Sequence, residues 1–455
     1  MSNTVDDYVF SDTEISVSDE EISLEHLASL FVDQDDEEEH WWDELEMQAV
    51  AVTRVAMTER KTKWKHQRLN WNEHKEKKVH EGTFDQKYQM SVEAFDNLVE
   101  LLRPMITQDQ IKARNSCGEP INPELVVAMG LCWLAGGSYH DIMDTFSVSQ
   151  SSFYRARDIF LDAVIACDAL KIRFPETPSE LENVRKRFAA KSTNKVIRGC
   201  VGAIDGLLAR INQPSTAECE GNPRSYHSGH YNDYGLNVQA ICDSRLHFLF
   251  FAVASPGSQG DLVAYEGLSI HEIIEKLPDS IYIIGDAAYR LSEHILVPFT
   301  GADRQAADKD TFNYFLSQLW IRIEMTFELL TTKWRILRKH LETKLTNSSK
   351  ILEACARLHN FVIDQDSEDD FEEDDEDDEG DDVVHYQTIL DSISMNGSPL
   401  GWAYLPTIEP LVAIEGTSRT RDAILTHISR NGYRRPAENV ERRLQELHEL
   451  QPPLM

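Results

Sequence analysis

Paired-cysteine motifs are missing from this 455-residue chain, and so are membrane-length apolar runs, glycine-rich phosphate loops and internal repeats. Its seven cysteines, at 117, 132, 167, 200, 219, 242 and 355, form no C-x-x-C pair. Neither a zinc module nor a disulfide framework is therefore indicated, and reduced, buried thiols of an intracellular protein are expected. With no apolar stretch of bilayer length and an acidic amino terminus unlike a signal peptide, no membrane partner is expected. Without a loop that could cradle a phosphate, hydrolysis of small phosphorylated substrates is disfavoured. Basic residues are absent from two whole segments: residues 1–50 hold 17 Asp and Glu, residues 364–382 hold 15, and neither contains Lys or Arg. These two segments supply 32 of the negative charges in a formal net charge of −33, leaving −1 for the rest.

A body so near neutrality can carry local basic patches that face a polyanion. The length allows two or three domains around sizeable cores. The acidic runs are too densely charged to pack, so residues 1–50 read as a solvated, disordered leader and 364–382 as a disordered linker. Competition with DNA for the basic surface, or binding of basic partners, is the sharper alternative for both. Residues 51–120 read as a basic helical segment, and between 54 and 82 nine Lys and Arg stand against four Glu. Lys and Arg interleaved with Trp64 and Trp71 would suit phosphate contacts with aromatic support. A solvated helix with Glu/Lys pairs one turn apart is the competing reading. The same Lys-rich stretch, near 61–78, could act as a nuclear import signal.

Residues 121–190 read as a helical domain of helix-turn-helix type. PELVVAMGLCWLA is apolar on nearly all sides and closes at Gly136-Gly137. A second helix opens at Ser138 with Asp141 three residues on, and a third opens at Ser149. The third carries Tyr154, Arg155 and Arg157 on a side that could face a major groove. Helical bundles with no DNA role follow the same local rules.

From about 195 to 363 the pattern becomes that of a mixed α/β domain. VIRGCVGAID is an apolar strand ending at Asp205, LNVQAICDS and LHFLFFAVA form a hairpin, and SIYIIGD ends at Asp286. A helix is expected over 262–276 and a long one over 311–340. The latter holds Glu324, with Ile321, Ile323, Phe327 and Leu330 marking its apolar face. Acidic groups collect at strand ends in such sheets, and two of them on neighbouring strands repel unless a cation joins them. Three oxygen donors match Mg²⁺ or Mn²⁺, and two such ions can serve both oxygens of a phosphodiester displacement. Beyond Glu324, Lys333, Arg335, Arg338 and Lys339 lie on an expected helix that could hold DNA phosphates, or could simply be solvated. Residues 383–455 form a separate Arg-rich region with an amphipathic helix ending near Gly432.

GAIDG, YGLNVQAICDSRLHFLFFAVASPGSQGD, IIGDAAYRLSEHILVPFTG, RIEMTFELLTTKWRIL and LHNFVI follow one another in order between about 85 and 363. In this the chain resembles the DDE transposases of the PIF/Harbinger superfamily and their domesticated nuclease relatives. The resemblance implies an RNase H-like fold, with Asp205, Asp286 and Glu324 as a catalytic triad on Mg²⁺ or Mn²⁺. It also places a further metal ligand at Asp261, in the motif PGSxxD, where N-capping of a helix is the competing role. The implied chemistry is hydrolysis at transposon ends and attack of the freed 3′-OH on target DNA. The implied partners are DNA and a separate Myb-like DNA-binding protein, and a nuclear location follows from the substrate, with the cytoplasm left open. Self-association as a homo-oligomer is also left open. The chain departs from the family pattern in three places. Trp320 stands where a basic residue is usual, Glu328 replaces a glycine, and GLLARI follows the first Asp where a Thr-His turn is common. These departures keep a second reading alive, a domesticated, catalytically inactive DNA- or protein-binding module.

Overall fold

The computed structural model describes residues 68–106, 121–219, 221–368 and 418–436. The leader, Trp64, Cys117 and most of the acidic linker and of the carboxyl-terminal region lie outside these residues.

Three helices come first: α1 (Trp71–His80), α2 (Phe84–Tyr88) and α3 (Val92–Leu102). Ser91 caps α3, its hydroxyl accepting the N–H of Ala94 at 3.1 Å. Trp71 does not face solvent. Its ring stacks on Phe95 at 4.9 Å with Tyr88 edge-on at 5.6 Å, so it is a core residue rather than a platform for nucleic acid. Next come α4 (Pro123–Leu134), α5 (Tyr139–Phe146) and α6 (Gln150–Ala166). α4 starts on a proline, which gives up no helical hydrogen bond there, and is buried on nearly every side. α5 ends at Ser147, whose φ of 49° turns the chain, and Ser149 then caps α6 through the N–H of Ser152. This is the helix-turn-helix layout expected from the sequence. α7 (Pro178–Lys191) opens with a complete capping box between Thr177 and Glu180.

The sheet is mixed. Its strands are β1 (Cys200–Arg210), β2 (His227–Ser228), β3 (Asp233–Cys242), β4 (Phe248–Pro256), β5 (Tyr282–Ile284) and β6 (Ile295–Leu296). The order is β4–β3–β1–β5–β6, with β2 on the start of β3. β1 pairs antiparallel with β3 and parallel with β5, as β5 does with β6. The β3–β4 hairpin turns on Asp243, whose carboxylate accepts the N–H groups of Arg245 and His247 at 2.8 and 2.9 Å.

β1 does not end at Asp205 as the sequence reading expects. It continues to Arg210 because β3 goes on offering hydrogen bonds after β5 has stopped.

The helices around the sheet are α8 (Asp261–Glu266), α9 (Ser269–Ile274), α10 (Ala307–Lys333) and α11 (Leu345–Glu368), and α12 (Arg419–Asn431) lies against α10. The single helix expected over 262–276 is two, broken at Gly267 and Leu268. The long helix stops at Lys333 rather than near 340. Trp334, fully buried, leaves helical geometry with φ −97° and ψ 79°, and a 3₁₀ turn follows over Arg335–Arg338. Both α7 and α10 pack on β1, and α10 also reaches β3 and β5. α12 closes at Gly432, whose φ of 63° suits glycine. A mixed sheet flanked by helices, with a helical region before it, is consistent with an RNase H-like fold. One hydrophobic cluster runs from Trp71 to Ile428. Among the described residues six cysteines are free and buried, and no helix is long and apolar enough to cross a membrane.

Candidate metal centre

The site begins where β5 ends. Ala203 of β1 pairs with Ile284 of β5, and Asp205 and Asp286 each sit two residues beyond that matched pair. Two parallel neighbours in register thus put both carboxylates at the same level, where the paired ladder gives way to an opening. Asp205 accepts the N–H of Gly206 at 2.8 Å, and Asp286 accepts the N–H of Ala288 at 2.9 Å.

Asp261 arrives from the first turn of α8. It does not cap that helix, since Gly260 holds the cap position and no side-chain cap is made. Its carboxylate instead lies over Gly206, so closely that any Cβ there would collide with it. Asn237 and Gln239 of β3 donate their amide N–H groups to this carboxylate at 3.0 and 2.9 Å. Gln239 also donates to Asn237 at 2.8 Å and accepts the hydroxyl of Tyr289 at 2.6 Å. A buried amide network of this kind fixes where Asp261 points.

Glu324 comes from α10, half-buried where that helix crosses β1. On the same helix Ile323, Phe327 and Leu330 are buried as expected, whereas Ile321 is 42% exposed and lies off the apolar face.

The charges of these groups act on one another. Burial pushes the Asp205 carboxyl well above the usual carboxylate range, and the charges of Asp286, Asp261 and Glu324 push it further. Asp286 is pushed up to about 6, by burial first and by Asp261 next, against the pull of the Ala288 N–H. Close acids that resist ionisation together are a favourable setting for a divalent cation, which removes the repulsion. The donor set is oxygen throughout, as Mg²⁺ and Mn²⁺ require. Among the described residues no three His, Cys, Asp or Glu stand close enough, as placed, to enclose an ion unaided. That does not conflict with Mg²⁺, which is usually held by one or two carboxylates with water and substrate phosphate completing the shell.

The sequence reading missed four residues here. Asn237 and Gln239 are polar, two apart and therefore on one face of an otherwise apolar strand, a signal that could have found them. Tyr289, three residues after Asp286, had no such signal. Nor had Tyr231, 44% exposed, whose hydroxyl is pushed up to about 12 by burial and by Asp261, Asp205 and Asp286.

The expected basic contacts divide. Arg155, Arg335 and Lys339 are exposed. Arg157 pairs with Asp158 at 2.6 Å and lies over the rings of Trp133 and half-buried Tyr154, at 5.3 and 4.8 Å. Lys333 donates to the Gln89 carbonyl at 3.2 Å, and Arg338 holds the end of α10 through Thr331 and Thr332 at 3.1 and 2.7 Å. The four cations beyond Glu324 do not share a helix, because α10 breaks at Trp334.

Residues 204–360, most of the sheet and the helices that follow it, match the family model of the DDE superfamily endonucleases. Among known proteins, the chain is similar to "Protein ALP1-like" of Arabidopsis thaliana, 25% identical over 323 residues, which cover 66% of this chain and 77% of the relative. Both findings are consistent with the PIF/Harbinger superfamily. No solved structure matches.

Proposed function

We propose that this chain is a metal-dependent DNA endonuclease and strand transferase of the DDE type, working in the nucleus on transposon ends. The reading is carried by Asp205 on β1 and Asp286 just past the end of β5, each two residues beyond the matched pair Ala203–Ile284, with Asp261 and Glu324 pressing on Asp205. When bound, Mg²⁺ or Mn²⁺ supplies Lewis acidity to the attacking and leaving oxygens of a phosphodiester. Asp205 and Asp286 would hold it between them, with Asp261, aimed by Asn237 and Gln239, and Glu324 completing the set. The exposed Arg155, Arg335 and Lys339 would meet backbone phosphates. A Myb-like DNA-binding protein and a second copy of the chain, as a homo-oligomer, are the proposed partners.

A second reading has its own observation. Trp320 and Glu328 flank Glu324 one turn to either side, where the family pattern has a basic residue and a glycine, which favours an inactive DNA- or protein-binding module. Cleavage of DNA bearing the element's terminal repeats, with and without the Myb-like partner, separates the two. Asp205→Ala should cut Mg²⁺- or Mn²⁺-dependent cleavage by more than about 100-fold, beyond the 10–100-fold that residues outside the ligand set cost. Binding without cleavage in either metal, with the partner present, makes the chain a binding module.

A further inference from the structure

Beside the acids lies a cavity of about 280 Å³, and Asp286 forms part of its wall together with Phe299, Arg304, Tyr314, Trp320 and Arg435. Trp320 stands one helical turn before Glu324 on α10, so its ring and that carboxylate share a side of the helix. The position that is basic in the resembling family is thus aromatic here, and it opens onto a space. Its indole N–H finds no acceptor among the described residues, a cost that an aliphatic filler would avoid. Tyr314 supplies further ring surface, whereas the Phe299 ring is buried under Arg421 and Lys309, at 4.0 and 5.0 Å. Arg435 arrives from the segment after α12, pairing with Asp310 at 3.2 Å and lying over the Tyr314 ring at 5.6 Å.

We propose that this cavity receives one nucleobase of the DNA strand being processed, swung out of the helix and stacked on Trp320. Three features converge on that occupant. The wall shared with Asp286 puts the cavity next to the phosphodiester the acids would act on. The Trp320 and Tyr314 rings offer stacking that any base can use, and Arg304 and Arg435 stand at the same wall. The volume lies just below the range of drug-sized ligand pockets, roughly 300–1,000 Å³, and so suits a single heterocycle. This inference rests on the reading of the chain as a DNA-acting protein. It assigns to the carboxyl-terminal segment a part in substrate binding, through Arg435.

The test is fluorescence anisotropy with the full chain and two labelled single strands of equal charge, one of thymidine nucleotides and one with the bases removed. Ca²⁺ replaces Mg²⁺ so that the strands stay intact. Wild type should prefer the base-bearing strand by about tenfold, within the range measured for base–aromatic stacking. Trp320→Ala should bind both strands equally, at the affinity wild type shows for the abasic one, while Trp320→Phe keeps the preference. A preference that survives Trp320→Ala, or is absent from wild type, overturns the pocket but leaves the DNA reading standing. If wild type binds neither strand, both readings fall. Should Trp320→Ala lose the abasic strand as well, Tyr314→Leu decides: a loss confined to the base-bearing strand supports the pocket, and an unchanged preference overturns it.

Discussion

Burial and neighbouring charge raise the carboxyls of Asp205 and Asp286 above the usual carboxylate range, and that has a consequence for stability. For Asp286 the carboxyl rises from 3.8 to about 6 on folding. Between those values the native state binds more protons than the unfolded chain, so stability falls as pH rises through the window. Asp205 has the same sign. Metal-free Asp286→Asn should therefore melt several degrees above wild type at pH 7.5, at about 1.5 °C per kcal/mol for a folded body of this size, and the gap should close near pH 4. Equal melting temperatures at pH 7.5 would remove the raised Asp286 carboxyl from the account. At this scale the sequence was informative about the acids themselves, because an Asp at the end of an apolar run is costly without a purpose. It was silent about Gly206, whose missing side chain makes room for Asp261, since that demand comes from α8, far along the chain.

Elements were legible where local chemistry writes them. The Ser and Thr caps, the proline at the start of α4 and the glycine after α12 all stand in the sequence as they do in the fold. The breaks were not. Apolar spacing runs straight through Trp334, and only the burial of its ring ends α10. β1 passes Asp205 for a similar reason, because its extension depends on a partner strand. How α12 attaches is a further point that no local pattern reveals. Glu293 accepts the N–H groups of Arg419 and Thr420 at 2.9 and 3.2 Å, and these bonds hold its carboxyl down at about 2. A carboxyl depressed in the folded state stabilises fully above its unfolded value of 4.5 and loses that contribution as pH falls towards 2. Protection of the residue 419–431 amides, relative to their intrinsic exchange rates, should thus fall below about pH 4, and at neutral pH in Glu293→Gln, while α10 stays protected. Unchanged exchange in that variant would mean that α12 is held by other contacts.

For the whole molecule, the charge that seems to forbid DNA is concentrated in residues 1–50 and 364–382, leaving the folded body almost neutral. Within that body one hydrophobic cluster carries both the helical region and the sheet, and the acids stand where β5 stops and β1 continues. The class of the domain was readable because the acidic blocks keep their order and spacing. The amide network and the cavity were not, because they exist only once the strands are in register and α10 lies across them. The proposed function depends on those acids sharing divalent cations. Calorimetric titration of Mn²⁺ into the full chain tests this most directly, comparing wild type with the Asp205→Asn, Asp286→Asn double variant. Wild type should take up one or two ions with release of protons from the raised carboxyls, and the double variant should take up none at the same concentrations. Equal uptake by the two proteins would contradict the account.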